Sequence, residues 1–580
     1  MDEIIKYLVF KGYFEYKEKF KPNSIIGKLI LINPEIKKEI RNLMPKINEF
    51  LEEVKRLSEE EIIKFLESNK YIEEKFKAIN KKKEKDDLPE LNLEILKNPW
   101  FDGFKTRFEP SPSGPLHIGH AIGVVVNWLY SKKYDGEFVL RLADTNPKNI
   151  MVEAYDYIVE DVEYLTGERK EPVIQSKRIK IYYEKVEELL KKGLAYIALY
   201  DKKEKEYFQI GNFKLDKTIL QRDRAIEENL ELWEKMLNNE FKEGEAIVRI
   251  KTTKSKNPTE PLEETIKYFK NSSLIDFPIF RIVEEEHPLM NNIFVWPLMN
   301  FSVAIDDWLL KISHVIRGKD HELNGEKQKI IYNYFDAPIP EFIYFGRINF
   351  VDLKVSTTQT KKAIIEGKFE GWDDLRLPFI KALKRRGIQR EAIIKYVKKF
   401  GTSKSDKKTT IEEFFKTLYK FNREILDPKV NRYFLVENPY LLKIEGLKKE
   451  IKLKLRPNSS EERTIIVDEK VFVDKNNIEE LLNKGINKVR LMHLATIEIF
   501  KENDKIKAKY IGDEIVKNKI HWVSKLNSEE IALLKVKGLE LIKKPVIIEK
   551  EALLEDIFQA ERIGFIKNEK EKEQLIFMHN

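Results

Sequence analysis

The sequence predicts a multidomain chain of the α/β + β class: a helical N-terminal domain, an open parallel sheet wrapped by helices, and two β-barrels at the carboxyl end. Three observations predict it. Residues 104–134, FKTRFEPSPSGPLHIGHAIGVVVNWLYSKKY, read as strand, tight loop and helix. Residues 1 to about 80 set apolar residues at helical spacing among charged ones, as in INEFLEEVKRLSEEEIIKFLE. From Leu435 onward, short alternating runs such as IKLKLRP, RTIIVDEKVFVD and KIKAKYIG are separated by Asn, Gly, Asp and Ser, the pattern of barrel strands.

Length and composition bound the rest. A chain of 580 residues holds about four domains. Hydrophobic residues at 42% suffice for ordinary cores, and 11% aromatics argue against disorder. The net charge is only +8, so a polyanion site has to come from clustering rather than bulk charge. Cysteine is absent, which excludes disulfides and thiolate zinc sites; no zinc is expected. No apolar run approaches the ~20 residues of a membrane span. The first residues, MDEIIKYLVFKGYFEYKEKF, lack the basic-then-apolar order of a signal peptide. The expectation is a cytoplasmic monomer away from membranes.

Taken in order, residues 1–95 form a helical appended domain, with Ser58 and Glu61 spaced for a capping box. Its job is docking, either of the chain's own macromolecular substrate or of a partner protein. The run KKKEKDD (81–87) reads as a solvated linker. At 104–134, Phe104–Glu109 is strand-like, while Pro110, Pro112, Gly114 and Pro115 bar regular structure. Ala121, Ile122, Val125, Val126 and Leu129 then fall on one helical face. Such a unit presents free N–H groups at a helix start, where a polyphosphate can sit. His117 and His120 lie on one face of the first turn, and Gly119 lets a planar group approach the backbone. Imidazoles there can donate to phosphate oxygens and stabilise charge developing at phosphorus. Two histidines on a helix more often mark a solvated face; the loop ahead of them favours the phosphate site.

PSPSG-x-LHIGH resembles the signature of class I aminoacyl-tRNA synthetases, and TRFEPSPSG ahead of it points to their glutamyl/glutaminyl branch. The resemblance implies a Rossmann-type catalytic domain over 100–345, interrupted by an acceptor-arm insert at about 201–296. A helical stem-contact domain (346–434) with a mobile signature loop and an anticodon-binding β-barrel region (435–580) follow. It further implies a glutamate-specific member of the archaeal/eukaryotic type, using ATP with Mg²⁺ to charge tRNA(Glu), and leaves open whether tRNA(Gln) is also charged. A glutaminyl enzyme of the same architecture and an inactive tRNA-binding relative are the alternatives.

The resemblance also implies roles. His117 and His120 are the catalytic pair. Ser111, Ser113, Gly114, Gly119, Ser356, Thr357 and Lys361 join them around ATP. Arg107 and Arg317 meet the side-chain carboxylate, the bidentate pairing that discrimination of an acidic amino acid needs. The strand EFVLRL (137–142) runs into Asp144-Thr145-Asn146-Pro147. Ala143 stands where many members carry an acid that holds the α-amino group, which leaves Asp144 as the nearby carboxylate. Met299 stands where many have a pocket tyrosine, and Gln359 where a lysine neutralises the triphosphate. Residues 172–200 read as a third βα unit. Asp306, Asp307, His314 and the run Arg317–His321 crowd ionisable groups around two short apolar strands, costly unless paired or used. By spacing alone they form either an ion-pair network or part of the site, and His314 is a core histidine or a functional one. Trp372-Asp373-Asp374 with Arg376-Leu377 resembles the anchor that places the signature loop. Lys384, Arg385 and Arg386 form a basic helix suited to RNA phosphates. Aromatics among lysines in KIHWVSK suit the stacking of unpaired bases.

Overall fold

The structure is a computed structural model and describes residues 2–17, 20–26, 29, 36–69, 71–72, 88–200, 206–352, 356–400, 403–457, 459–503 and 505–580. The run 81–87, read above as a linker, lies outside the described residues. The chain divides into two units, Met1–Leu91 and Asn92–Asn580.

In the first unit, helices Asp2–Tyr16, Ile36–Val54 and Glu59–Ser68 bury Ile5, Phe10, Ile47, Val54 and Ile62 together. The capping box forms: Glu61 N–H donates to Ser58 Oγ at 3.3 Å, and Ser58 N–H donates to Glu61 Oε2 at 2.8 Å. Two unpaired amide groups at the helix start are thereby satisfied.

The second unit opens with β1 (Lys105–Phe108), α1 (Ile118–Lys133), β2 (Glu137–Leu142), α2 (Ala154–Thr166), β3 (Val173–Ile174) and α3 (Ile179–Lys191). β1 pairs in parallel with β2, and β2 with β3. The second half contributes α4 (Met299–Leu309), β4 (His314–Gly318), α5 (Glu322–Tyr334) and β5 (Glu341–Phe345), with β4 and β5 parallel. Ser313 N–H donates to the Lys105 carbonyl at 3.0 Å, and Lys105 N–H to Ser313 Oγ at 2.8 Å. The two halves therefore meet at β1 and β4, in the spatial order 3-2-1-4-5. Consecutive strands leave β1 in opposite directions, which opens a crevice at their carboxyl ends.

Between the halves lies a four-stranded antiparallel sheet of Ala195–Leu199, Ala246–Ile250, Pro278–Ile282 and Val295–Pro297. Its core holds Ile197, Val248, Phe280 and Trp296. The inserted lobe thus begins at Ala195, earlier than the 201 expected. The run AYIAL reads as the end of a βα unit, yet it pairs antiparallel with AIVRI, a contact some fifty residues away in sequence that local pattern does not reveal.

Helices Thr357–Ile365, Ile380–Arg385, Arg390–Phe400 and Ile411–Leu426 follow, with Ile348–Phe350 and Lys407–Thr409 paired in parallel among them. The carboxyl region then forms two seven-stranded sheets. One takes its strands from 439–524 around Leu442, Val471, Ile497 and Trp522; the other takes 432–436 and 528–579 around Leu533, Ile548, Phe558 and Leu575. The last strand, Gln574–His579, lies inside its sheet between Gly564–Glu569 and Ser528–Lys537. Trp522 of KIHWVSK is completely buried, and its indole N–H donates to the Met492 carbonyl at 2.8 Å. It fills a barrel core, so it cannot stack on an RNA base. Among the described residues, no helix is long and apolar enough to cross a membrane.

Candidate active site

The crevice between β1 and β4 is a cleft of about 780 Å³. Arg107, Glu109, Ser111, His117, Gly119 and His120 come to it from β1, the following loop and α1. Met299, Arg317, Asp320, His321 and Arg347 face them from the second half.

His117 is the N-cap of α1, and its Nδ1 accepts the Gly119 N–H at 3.0 Å. The His117 N–H is directed at His120 Nδ1, 3.5 Å away. The two rings stack with centroids 3.8 Å apart and planes at 21°. A ring whose Nδ1 accepts carries its proton on Nε2 when neutral. Burial, with the neighbouring His120 adding to it, drives the His117 pKa well below 6.5; burial lowers that of His120 to about 4. At neutral pH the cleft therefore holds two uncharged imidazoles, each with an Nε2–H to donate. A Cβ on Gly119 would lie 2.8 Å from the Cε1 of His117. The planar group this glycine admits is the histidine's own ring.

The start of α1 is clamped from outside. Ile118 N–H donates to the Pro378 carbonyl at 3.0 Å, and Ile380 N–H to the Leu116 carbonyl at 2.8 Å. Leu116 N–H donates to Asp161 Oδ2 at 2.8 Å; burial raises that carboxyl's pKa to about 7. Trp372 packs edge-on against Phe379 at 5.1 Å, while Asp374 accepts from Arg376 Nε at 2.8 Å and Nη2 at 2.6 Å. The Trp372–Leu377 stretch thus steadies the loop-helix junction. Ser113 Oγ lies 3.4 Å from Thr357 Oγ1, and a Cβ on Gly114 would lie 3.2 Å from Trp372 and 3.3 Å from Thr357. The two loops expected around ATP are in contact. Ser356 caps the helix Thr357–Ile365. Gln359 and Lys361 point outward on that helix, and neither lines the cleft.

The two arginines differ in kind. Arg107 gives Nε and Nη2 to Asp307 at 3.0 and 3.1 Å, and Arg141 Nη2 reaches Asp307 at 2.8 Å as well as the Glu109 carboxylate. Asp306 accepts from Gln175 at 2.9 Å and from Arg178 and Tyr182 at 2.7 Å each. Asp306 and Asp307 sit on α4, fully buried, and form the network that holds the two halves of the sheet together. Arg317 donates Nη2 to Gln328 Oε1 at 2.9 Å, stands 5.4 Å from the Phe342 ring centroid, and has a buried Nε without a partner. No ion pair reaches it among the described residues. Desolvation, with Arg107 nearby, lowers its pKa. The cleft thus contains one guanidinium already satisfied on its Nε/Nη2 edge and one that lacks a carboxylate.

Comparison with known proteins decides the family. The family model for the catalytic domain of tRNA synthetases class I (E and Q) matches residues 104–428, and that for their anti-codon binding domain matches 430–513. The chain belongs to the class I tRNA synthetases of the E and Q type. It is 40% identical to the glutamate–tRNA ligase of Methanocaldococcus jannaschii over 98% of each chain. It is 37% identical to that of Pyrococcus furiosus over 98% of this chain and 96% of the relative.

Within this synthetase, several expected site residues stand elsewhere. Asp144 is fully buried and accepts from Ser176 N–H, Ser176 Oγ–H and Tyr155 O–H at 2.7 Å each, with His287 Nε2 3.4 Å away. Those donors hold its pKa below the usual carboxylate range against the effect of burial. It ties β2 to the segment before α3 and does not face the cleft. His314 is a core histidine: it stacks on Phe104 at 4.4 Å, with Nδ1 2.9 Å from Ser313 Oγ and Nε2 3.0 Å from the Asn92 carbonyl. The basic helix is divided. Arg386 is buried, donates to Tyr419 O–H at 2.7 Å and stands 4.4 Å from the Phe415 ring centroid. Arg385 grips Glu569 with Nε at 2.7 Å and Nη2 at 3.2 Å. These two arginines knit the helical segment together and to the last sheet, so only Lys384 of the three is exposed. Sequence reading missed Glu109 and Arg347 as cleft residues; Asp320 and His321, left open between an ion-pair network and the site, line the cleft. Glu109 lies inside the quoted motif, and its lone charge among prolines and serines was the available signal.

Proposed function

We propose that this synthetase is a glutamate–tRNA ligase that activates glutamate with ATP and transfers it to the 3′-terminal adenosine of tRNA(Glu). The observation that carries the reading is Arg317. A desolvated guanidinium without a carboxylate is costly, and a substrate carboxylate supplies what it lacks, whereas a neutral amide does not. The relatives named above as glutamate–tRNA ligases agree with it.

In the first step, an oxygen of the glutamate α-carboxylate attacks the α-phosphorus of ATP, and the bond to pyrophosphate breaks. The Nε2–H groups of His117 and His120 donate to phosphate oxygens as charge builds there; being uncharged and preorganised, they need little reorganisation. Ser111 lies on the cleft wall, and Ser113, Gly114, Ser356 and Thr357, which meet beyond that wall, would close on the nucleotide. Lys361 would have to swing in with its helix to reach the phosphates. In the second step, a ribose hydroxyl of the terminal adenosine attacks the glutamyl carbonyl and AMP leaves. No protein nucleophile is required, so catalysis is placement and charge stabilisation. Among the described residues, no group of three or more His, Asp or Glu side chains could hold a metal ion. Mg²⁺, expected with ATP, would supply charge neutralisation to the phosphates. Lys384 faces the RNA backbone.

The test is acylation of separate tRNA(Glu) and tRNA(Gln) transcripts with glutamate and with glutamine. Glutamyl-tRNA(Glu) is expected. Charging with glutamine alone would overturn the proposal, and tRNA binding without any charging would leave only a binding protein.

A further inference from the structure

The amino acid brings an ammonium group as well as two carboxylates into the cleft, and Asp144 cannot meet it. The cleft wall carries two carboxylates, Glu109 and Asp320. Asp320 is engaged: Arg347 pairs with it, and His321 Nε2 lies 3.4 Å away. Glu109 is only 9% exposed, and Arg141 and Arg107 both approach a single oxygen, Oε2. No hydrogen bond reaches Oε1 among the described residues.

We propose that Glu109 is the residue that binds the substrate's α-ammonium group, its Oε2 fixed by Arg141 and its Oε1 presented to the cleft. The position follows from the strands. β1 and β2 are parallel, with Arg107 opposite Val139 and Phe108 opposite Leu140, so Glu109 comes opposite Arg141, to which it is bonded. Two residues on, Ala143 points to the same side by the pleat, and its N–H donates to the Pro110 carbonyl at 2.9 Å. A methyl group there supplies no charge, and the neighbouring strand end contributes the carboxylate instead. Arg317 and Glu109 then read opposite charges of one small zwitterion, which favours glutamate over acids that lack an amine. The inference rests on glutamate being the amino acid activated.

The test uses the full-length protein, ATP–pyrophosphate exchange and tRNA(Glu). Glu109→Gln keeps an oxygen for Arg141 and removes the charge. The KM for glutamate is expected to rise about 10- to 100-fold, the worth of one charge-assisted hydrogen bond, with the KM for ATP unchanged. Glutarate, which keeps both carboxylates and lacks the amine, should inhibit wild type and variant equally. Adding Ala143→Asp should lower the glutamate KM again. An unmoved glutamate KM, a parallel loss of ATP and glutarate binding, or no recovery on adding Ala143→Asp would overturn the assignment. If Glu109→Gln fails to fold, Glu109→Asp, which keeps the charge but withdraws it by one methylene, is read by the same criteria. Wild-type protein that never charges tRNA(Glu) would instead remove the functional reading beneath it.

Discussion

Arg317 and Arg107 both line the cleft, yet removing them should have opposite consequences. Arg317 has neutral neighbours, Gln328 and the Phe342 and Tyr344 rings, and a buried Nε without a hydrogen-bond partner. Arg317→Gln takes away a desolvated charge that no ion pair in the free protein balances and that Tyr344, Phe342 and the nearby Asp307 offset only in part, so thermal stability should change little. The substrate carboxylate then loses its charge-assisted contact, about 2–3 kcal/mol, which corresponds to a ~30- to 150-fold fall in kcat/KM for glutamate. The KM for ATP should not move. Arg107→Gln instead leaves Asp307 buried with Arg141 as its remaining cationic partner, at a cost of about 3 kcal/mol of stability. Steady-state pyrophosphate exchange, with unfolding monitored on the same preparations, reads both effects. If Arg317→Gln destabilised the protein as much as Arg107→Gln while glutamate kinetics stayed intact, Arg317 would be structural and the argument from its missing partner would fail.

Three further outcomes follow from the geometry. His120 has a folded pKa of about 4 against an ordinary 6.5; the unfolded chain therefore takes up its proton first, and this residue's contribution lowers stability as pH falls from about 6.5 to about 4. Urea midpoints across that range should fall less steeply in His120→Asn, and exchange activity in wild type should show no protonation step of this pair near 6.5. In Gly119→Ala the new Cβ meets the His117 ring at 2.8 Å; kcat should drop at least tenfold without loss of melting temperature, because alanine is the better helix former by about 1 kcal/mol. Lys384→Ala should weaken tRNA binding and reduce its salt slope by about one, whereas Arg386→Ala, which removes a buried donor to Tyr419, should lower stability, as read by denaturant unfolding.

What was legible in the sequence was what the chain decides locally. The Pro–Gly loop, the helix that follows and the histidines three apart are set by residues within about fifteen positions, and all appear as read. The capping box at Ser58 is of the same kind. What was illegible depends on distant partners. Asp144, an apparent substrate carboxylate at a strand end, is saturated by Ser176, Tyr155 and His287. Asp307 looked equally available for chemistry until Arg107, 200 residues earlier, closed on it. Arg385 and Arg386 have the composition of an RNA-binding face, but Glu569 and Tyr419 claim them. A charged side chain in sequence carries no mark of whether its partner will be solvent, substrate or a buried counter-ion, and tertiary pairing settles that. Trp522 shows the same ambiguity for an aromatic: alternation places it on a strand, and only the packing of the sheet decides that its face is the inner one.

The most direct measurement is a crystal structure of the protein with tRNA(Glu) and a non-hydrolysable glutamyl-adenylate analogue. The side-chain carboxylate is predicted within hydrogen-bond distance of Arg317, with the phosphate mimic against the Nε2 atoms of His117 and His120. An analogue bound with Arg317 turned to solvent, or seated away from the paired rings, would contradict the account.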